Sequence, residues 1–370
     1  MKILIAPDKF KGSLSGREAA DNIATGLREV LPDATLEIVP VADGGEGTAE
    51  VICQARSGEW VECDSHDALG RPITARYVWL PNRTAVIEMS EAAGLWRIAP
   101  NERDPSRANT FGVGEMMRDA AQRGAREITI GLGGSATNDG GFGMARALGF
   151  RFLADQRELT NGPAELVKLT RIVREVEAEA PLHLPRIIAA ADVKNPLLGA
   201  RGATQTFGPQ KGAEPDQREV LEQALARLAN VVARDLGCDF READGGGAAG
   251  GLGFGLMSFC GASVRPGFEV VAEVVGLKAA IERSDVVITG EGCLDPQTLE
   301  WKAPAGVARL AHESGKRVFA IVGATSESAA VRSLFEGLYV LAREPISKQE
   351  AMMRAGELSQ ERARELARAL

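Results

Sequence analysis

The sequence predicts a two-domain α/β protein: a discontinuous parallel domain of Rossmann or flavodoxin-like type, interrupted by an inserted mixed α/β domain. Three observations predict it. The 370 residues exceed one comfortable core and suit two domains of roughly 100–200 residues each. Both ends of the chain alternate apolar strand-like runs with helical periodicity, which is the rhythm of a parallel sheet. Residues 59–90 read instead as hairpin-forming strands broken by turn signals. Residues 1–58 and 282–370 are therefore expected to form the discontinuous domain, and residues 59–281 the insertion.

The elements follow in order. Lys2–Pro7 is an apolar run of strand length. Ser15 and Glu18 make a Ser-x-x-Glu capping box, so a helix starts just after Lys9-Phe10-Lys11-Gly12 and carries Ile23, Leu27, Val30 and Leu31 on one stripe. A second strand over 36–41 leads through Asp43-Gly44-Gly45-Glu46-Gly47-Thr48 into a helix with Val51 and Ile52. In the insertion, residues 60–63, 73–80 and 85–89 alternate with Leu69-Gly70-Arg71-Pro72 and Pro81-Asn82, a hairpin pattern. A helix over 112–123, a strand over 127–130, a glycine loop from Gly131 and an apolar helix through Met144, Ala147 and Leu148 come next. A strand over 186–191 ends at Asp192, and residues 216–236 have the spacing of a long amphipathic helix. Alternation returns with a strand over 285–289, the Glu291 loop, a helix near 303–314, a strand over 317–322 and two closing helices.

Charge and composition narrow the chemistry. A net charge of −8 disfavours nonspecific binding to nucleic acid or to an anionic membrane, since both need a basic field. The N-terminus lacks a signal-peptide pattern, and no apolar stretch approaches the roughly 20 residues of a membrane helix; a cytoplasmic location is expected. The five cysteines show neither a Cys-x-x-Cys pair nor zinc spacing, and His66, His183 and His312 are scattered. Carboxylates and lysines are left to do the chemistry.

Those groups concentrate in glycine-rich loops, residues 6–13, 42–48, 131–141, 244–255 and 290–295, which follow strand-like runs. Loops at the carboxyl ends of strands converge in an open α/β sheet. Lys9 and Lys11 precede a capped helix, where ammonium charge, free N–H groups and the helix dipole all favour anions. Glycines let backbone N–H groups approach phosphate oxygens, and Asp43, Glu46, Asp139, Asp192, Glu291 and Asp295 offer hard oxygens for Mg²⁺. Cations, carboxylates and a base are what phosphoryl transfer requires. Other readings stand beside this one. Asp8 and Asp43 also suit caps or turns, Asp192 with Asn195-Pro196 an Asx-turn, and residues 244–255 a hinge or a packing surface. Gly131-x-Gly133-x-x-Ala136, trailed by Asp155, approaches a dinucleotide fingerprint and would give an NAD-dependent dehydrogenase.

Six blocks together are more specific: Ala6-Pro7-Asp8-Lys9-Phe10-Lys11-Gly12-Ser13-Leu14, Ala42-Asp43-Gly44-Gly45-Glu46-Gly47-Thr48, residues 133–141, Asp192-Val193-x-Asn195-Pro196-Leu197, Phe207-Gly208-Pro209-Gln210-Lys211-Gly212-Ala213 and Thr289-Gly290-Glu291-Gly292. In type and order they resemble the bacterial glycerate kinase family. The resemblance implies ATP-dependent phosphorylation of D-glycerate on its 2-hydroxyl, with ATP and Mg²⁺ as cofactors, in a two-domain α/β fold with its site in the interdomain cleft. No nucleic-acid or membrane partner is implied, and a homodimer is compatible with it. It implies Asp192 or Asp43 as base and Lys11 as a further catalytic group. Asp8, Lys9, Ser13, Ser135, Asn138, Asp139, Lys211 and Lys302 would bind substrate and phosphate, and Glu46, Glu291 and Asp295 the metal. Two positions depart from the family pattern, Cys293 where arginine is usual and Trp301 where glycine is usual. They suggest a catalytically weakened ligand-binding relative as a third reading.

Overall fold

The computed structural model describes residues 1–174, 183–294, 302–325 and 329–370. The chain divides into two compact units, one holding Met1–Asp43, Glu50–Arg56 and Gly267–Leu370, the other Gly44–Ala49 and Ser57–Pro266.

The first unit is built on a five-stranded sheet. Its spatial order is Thr35–Ile38, Lys2–Pro7, Val286–Gly290, Arg317–Val322, Gly337–Val340, and every neighbouring pair is parallel. Counted in chain order within the unit, this is 2-1-3-4-5, the flavodoxin-like arrangement. Successive side chains leave a strand on opposite faces. Ile3, Ile5, Ile288, Phe319 and Ile321 join a core with helices Gly16–Val30 and Ala355–Ala369, whereas Leu4, Val287, Val318 and Val322 join one with Phe268, Leu277 and Val307. With both faces covered, the central strands have no polar side, which is why they read as unbroken apolar runs.

Helix Gly16–Val30 starts as the capping box predicts. The Glu18 N–H donates to Ser15 Oγ at 3.2 Å, and the Ser15 N–H donates to the Glu18 carboxylate at 2.8 Å. At Gly26 the helix meets Ala355–Ala369 backbone to side, since a Cβ there would lie 2.3 Å from the Gln360 carbonyl oxygen. The strand Gly337–Val340 is absent from the sequence reading. It is four residues long, at the sheet edge and only half-buried, so it carries too little hydrophobic pattern to register.

The second unit contains a six-stranded mixed sheet in the order Ser263–Pro266, Arg186–Ala191, Glu127–Gly131, Thr84–Glu88, Pro72–Trp79, Glu59–His66. The first four strands run parallel, and the last two add as an antiparallel hairpin. A separate antiparallel sheet of Phe150–Ala154, Arg157–Glu158 and Arg171–Arg174 lies beside it in sequence. Its Phe152 packs edge-to-face on Phe142 and Phe259, with ring centroids 4.8 and 5.7 Å apart. This small sheet removes support from the dinucleotide reading. In a dinucleotide unit the strand after the glycine loop and helix returns parallel to the first and ends on the acid. Here that strand pairs antiparallel elsewhere, and Asp155 sits in a tight turn with φ 54°. Among the described residues no helix is long and apolar enough to cross a membrane.

Candidate active site

In the first unit the strand order reverses between Lys2–Pro7 and Val286–Gly290, and ligands of such sheets bind outside the carboxyl ends at that switch point. Asp8 is the first residue past the edge. Its N–H donates to the Gly290 carbonyl at 2.8 Å, and its carboxylate accepts from the Lys9 N–H at 2.6 Å. Phe10, 1% exposed, pins the loop into the core. Ser13 donates both its N–H and its hydroxyl to the Phe10 carbonyl, at 2.8 and 3.0 Å. Ser13 thereby braces the turn. The Gly290–Gly292 loop lies directly against Phe10–Lys11, since a Cβ on Gly292 would stand 2.9 Å from the Lys11 nitrogen.

Three acids meet at this edge. Asp8 is buried, Glu291 is buried, and Asp43 is half-buried. Burial drives the Asp8 carboxyl well above the usual carboxylate range; the Asp43 charge adds to this, and Glu291 adds less, while Lys9 opposes it. Among the described residues no three acids, histidines or cysteines form a ready-made metal cage. Lys11 is exposed, and half-buried Lys302 stands at the N-cap of helix Ala303–Glu313. Cys293 pairs with Ala324 in a two-residue parallel bridge. Asp295 and Trp301 lie outside the described residues.

The second unit gathers the remaining candidates. Two glycine loops distant in sequence form one structure: a Cβ on Gly131 would lie 2.6 Å from the Gly44 carbonyl oxygen, and one on Gly133 would lie 2.4 Å from Gly45 Cα. Only glycines permit this approach. Glu46 therefore sits over Gly134, its Oε1 2.7 Å from where a Cβ would be. Asp192 is half-buried immediately after strand Arg186–Ala191. Because that strand is parallel to Glu127–Gly131 and Thr84–Glu88, Asp192, the Gly131 loop and Glu88 share one sheet edge.

The structure gives Asp139 a different task from the expected ligand contact. It is wholly buried, and its Oδ2 accepts from the Thr110 N–H and hydroxyl, both at 2.8 Å, and from the Gly143 N–H at 2.9 Å. Its Oδ1 accepts from the Gly141 N–H at 3.1 Å. Burial raises the carboxyl and these donors oppose the rise, so the charge is spent on holding the loop. Asn138 is equally buried. Its amide donates to Thr204 Oγ1 at 3.0 Å, while its Oδ1 has no hydrogen-bond partner. Lys211, at 2% exposure, donates from Nζ to Ser135 Oγ and to the Thr137 carbonyl, both at 2.7 Å. It stands behind Ser135, and both of these hydrogen bonds lie inside the protein.

Residues 244–255 prove to be a packing surface. Ala249, Gly250 and Gly251 take left-handed φ of 53, 68 and 89° in succession. The Gly250 carbonyl accepts from the Gly140 N–H at 3.0 Å, and a Cβ on Gly250 would fall 1.9 Å from the Thr137 carbonyl oxygen. Sequence reasoning missed Thr110 and Glu88. Glu88 accepts from the Ala49 N–H at 2.8 Å; its signal was an acid ending an apolar strand, the same one that marked Asp192.

These features define a class, an α/β protein whose acids, lysines and glycine loops collect at the carboxyl edges of parallel strands. The comparisons with known proteins make it specific. The model of the glycerate kinase family matches residues 3–370, and the chain belongs to that family. It is 40% identical to a glycerate kinase of Bacillus subtilis over 99% of this chain and 97% of that one. It is 41% identical to a glycerate 2-kinase of Escherichia coli, covering 90% of this chain and 87% of the relative. A crystal structure from Salmonella typhimurium LT2, of a protein assigned as glycerate kinase 2, superposes with a TM-score of 0.86 at 41% identity, over 100% of this chain and 98% of the other.

Proposed function

We propose that this protein transfers the γ-phosphoryl group of ATP to the 2-hydroxyl of D-glycerate, giving 2-phosphoglycerate and ADP. The observation that carries the reading is the crowding of Asp8, Asp43 and Glu291 beside Lys9 at the switch point, an edge suited to a cation and the anions it accompanies. The substrate and the position follow from the names of the relatives.

Glu291 would hold a Mg²⁺ ion as a hard-oxygen donor, with Glu46 and Asp295 as further candidates, and the ion would supply charge neutralisation for the nucleotide's phosphates. Lys9, Lys11 and Lys302 take phosphate oxygens as point charges. Ser135 and the backbone N–H groups around Gly133 and Gly134 hold the anionic oxygens of the acceptor. Asp192 draws the proton from the attacking hydroxyl, with Asp43 as the other candidate for that role. The setting is cytoplasmic metabolism of small organic acids.

The test is ADP release in Mg-ATP that depends on added D-glycerate. Hydride transfer to a nicotinamide without ADP release would overturn the reading. Lys11→Ala is expected to lower turnover by more than the roughly tenfold that corresponds to 1.4 kcal/mol. Because Lys11 is exposed, the thermal midpoint should stay put. A near-normal rate would remove Lys11 from the site.

A further inference from the structure

Lys211 is a buried lysine on the short turn Pro209–Lys211, and its amino group meets two acceptors, Ser135 Oγ and the Thr137 carbonyl. Ser135 is 6% exposed, in the loop shaped by Gly133 and Gly134. The Thr137 carbonyl is backed by Gly250, on which a Cβ would fall 1.9 Å from the carbonyl oxygen. The lysine is thus clamped at one acceptor, with the serine as the other.

A hydroxyl has one hydrogen and two lone pairs. When an ammonium N–H occupies a lone pair of Ser135 Oγ from inside, the hydroxyl hydrogen is left to point away from the lysine. We propose that Lys211 is a positioning residue that never touches substrate: it fixes Ser135 as an outward-facing donor to an anionic oxygen of the acceptor. This rests on the reading above that Ser135 contacts the acceptor.

The arrangement has a consequence for pH. Burial pushes the Lys211 ammonium down to about 7, with the Asp139 charge opposing. The backbone of Arg103 also packs against this turn, its carbonyl oxygen and Cβ 2.9 and 3.1 Å from where a Cβ on Gly212 would be. A lysine with a lowered pKa is charged below that value and neutral above it. Once neutral, its nitrogen can accept the Ser135 hydrogen while still donating to Thr137. The serine then turns inward and the acceptor loses a donor.

The experiment is a double-mutant cycle read as KM for D-glycerate at saturating Mg-ATP, with pH profiles. Ser135→Ala and Lys211→Met should each raise KM by about tenfold, the 1.4 kcal/mol of one hydrogen bond to a charged group. The double variant should be no worse than the weaker single, because the lysine acts only through the serine. Wild-type KM should rise as pH passes upward through about 7, and Ser135→Ala should flatten that rise. If Lys211→Met fails to fold, the wild-type and Ser135→Ala profiles still decide the matter. Additive KM effects, or a rise that survives Ser135→Ala, would overturn the proposal. An unchanged KM in Ser135→Ala would instead remove Ser135 from the acceptor site, a failure of the functional reading itself.

Discussion

Asp192→Asn is expected to lower kcat by about 10²–10⁴, the range that a positioned general base contributes, with KM for the acceptor changed little. Asparagine keeps the size of the side chain at the end of strand Arg186–Ala191, and it cannot take a proton from a hydroxyl. The residue stands half-buried on the same sheet edge as the Gly131 loop, within a frame of apolar strands that the change leaves alone. The thermal midpoint should therefore match the wild type. A kcat within fivefold of wild type would move the base elsewhere, and Asp43→Asn is the variant to make next.

Asp139→Ala is expected to act on the fold. The carboxylate receives four hydrogen bonds, from Thr110 twice and from Gly141 and Gly143. Removing it leaves those donors in a dry interior at about 1 kcal/mol each, more where water cannot enter. The loss of about 4 kcal/mol is a large part of a typical total of 5–15 kcal/mol. The effect spreads, because the Thr110 hydroxyl that donates to Asp139 also accepts from the Met144 N–H at 2.9 Å. One carboxylate so ties the start of helix Phe111–Gln122 to the start of helix Phe142–Ala147. Urea unfolding should show a much lower midpoint. A shift worth under 1 kcal/mol would mean that water reaches the loop and the hydrogen bonds are replaceable.

The contrast between these two acids shows how far a sequence can be read. Asp139 and Asp192 look alike in it: each lies in the segment that follows an apolar strand and sits among glycine or turn residues. Burial separates them, and burial of Asp139 depends on Thr110, 29 positions earlier. The helix after Lys11 was legible because Ser15 and Glu18 form a local device. The strands over 2–7, 186–191 and 317–322 were legible because interior parallel strands are apolar throughout. The 2-1-3-4-5 order was not, since it rests on Ile3 pairing with Val286 across most of the chain. Edge and short strands such as Gly337–Val340 and Ser263–Pro266 left too little pattern to find. The glycine loops were legible as loops, but that Gly44 and Gly45 lie on Gly131 and Gly133 is a matter of close backbone approach, which only the fold reveals.

The most direct test of the central claim is the phosphorus NMR spectrum of the product formed from Mg-ATP and D-glycerate by the purified protein. Stoichiometric ADP and a phosphate ester resonance that coincides with authentic 2-phosphoglycerate are expected. A resonance matching 3-phosphoglycerate would contradict the assigned position, and ADP release without any phosphorylated glycerate would contradict the assigned reaction.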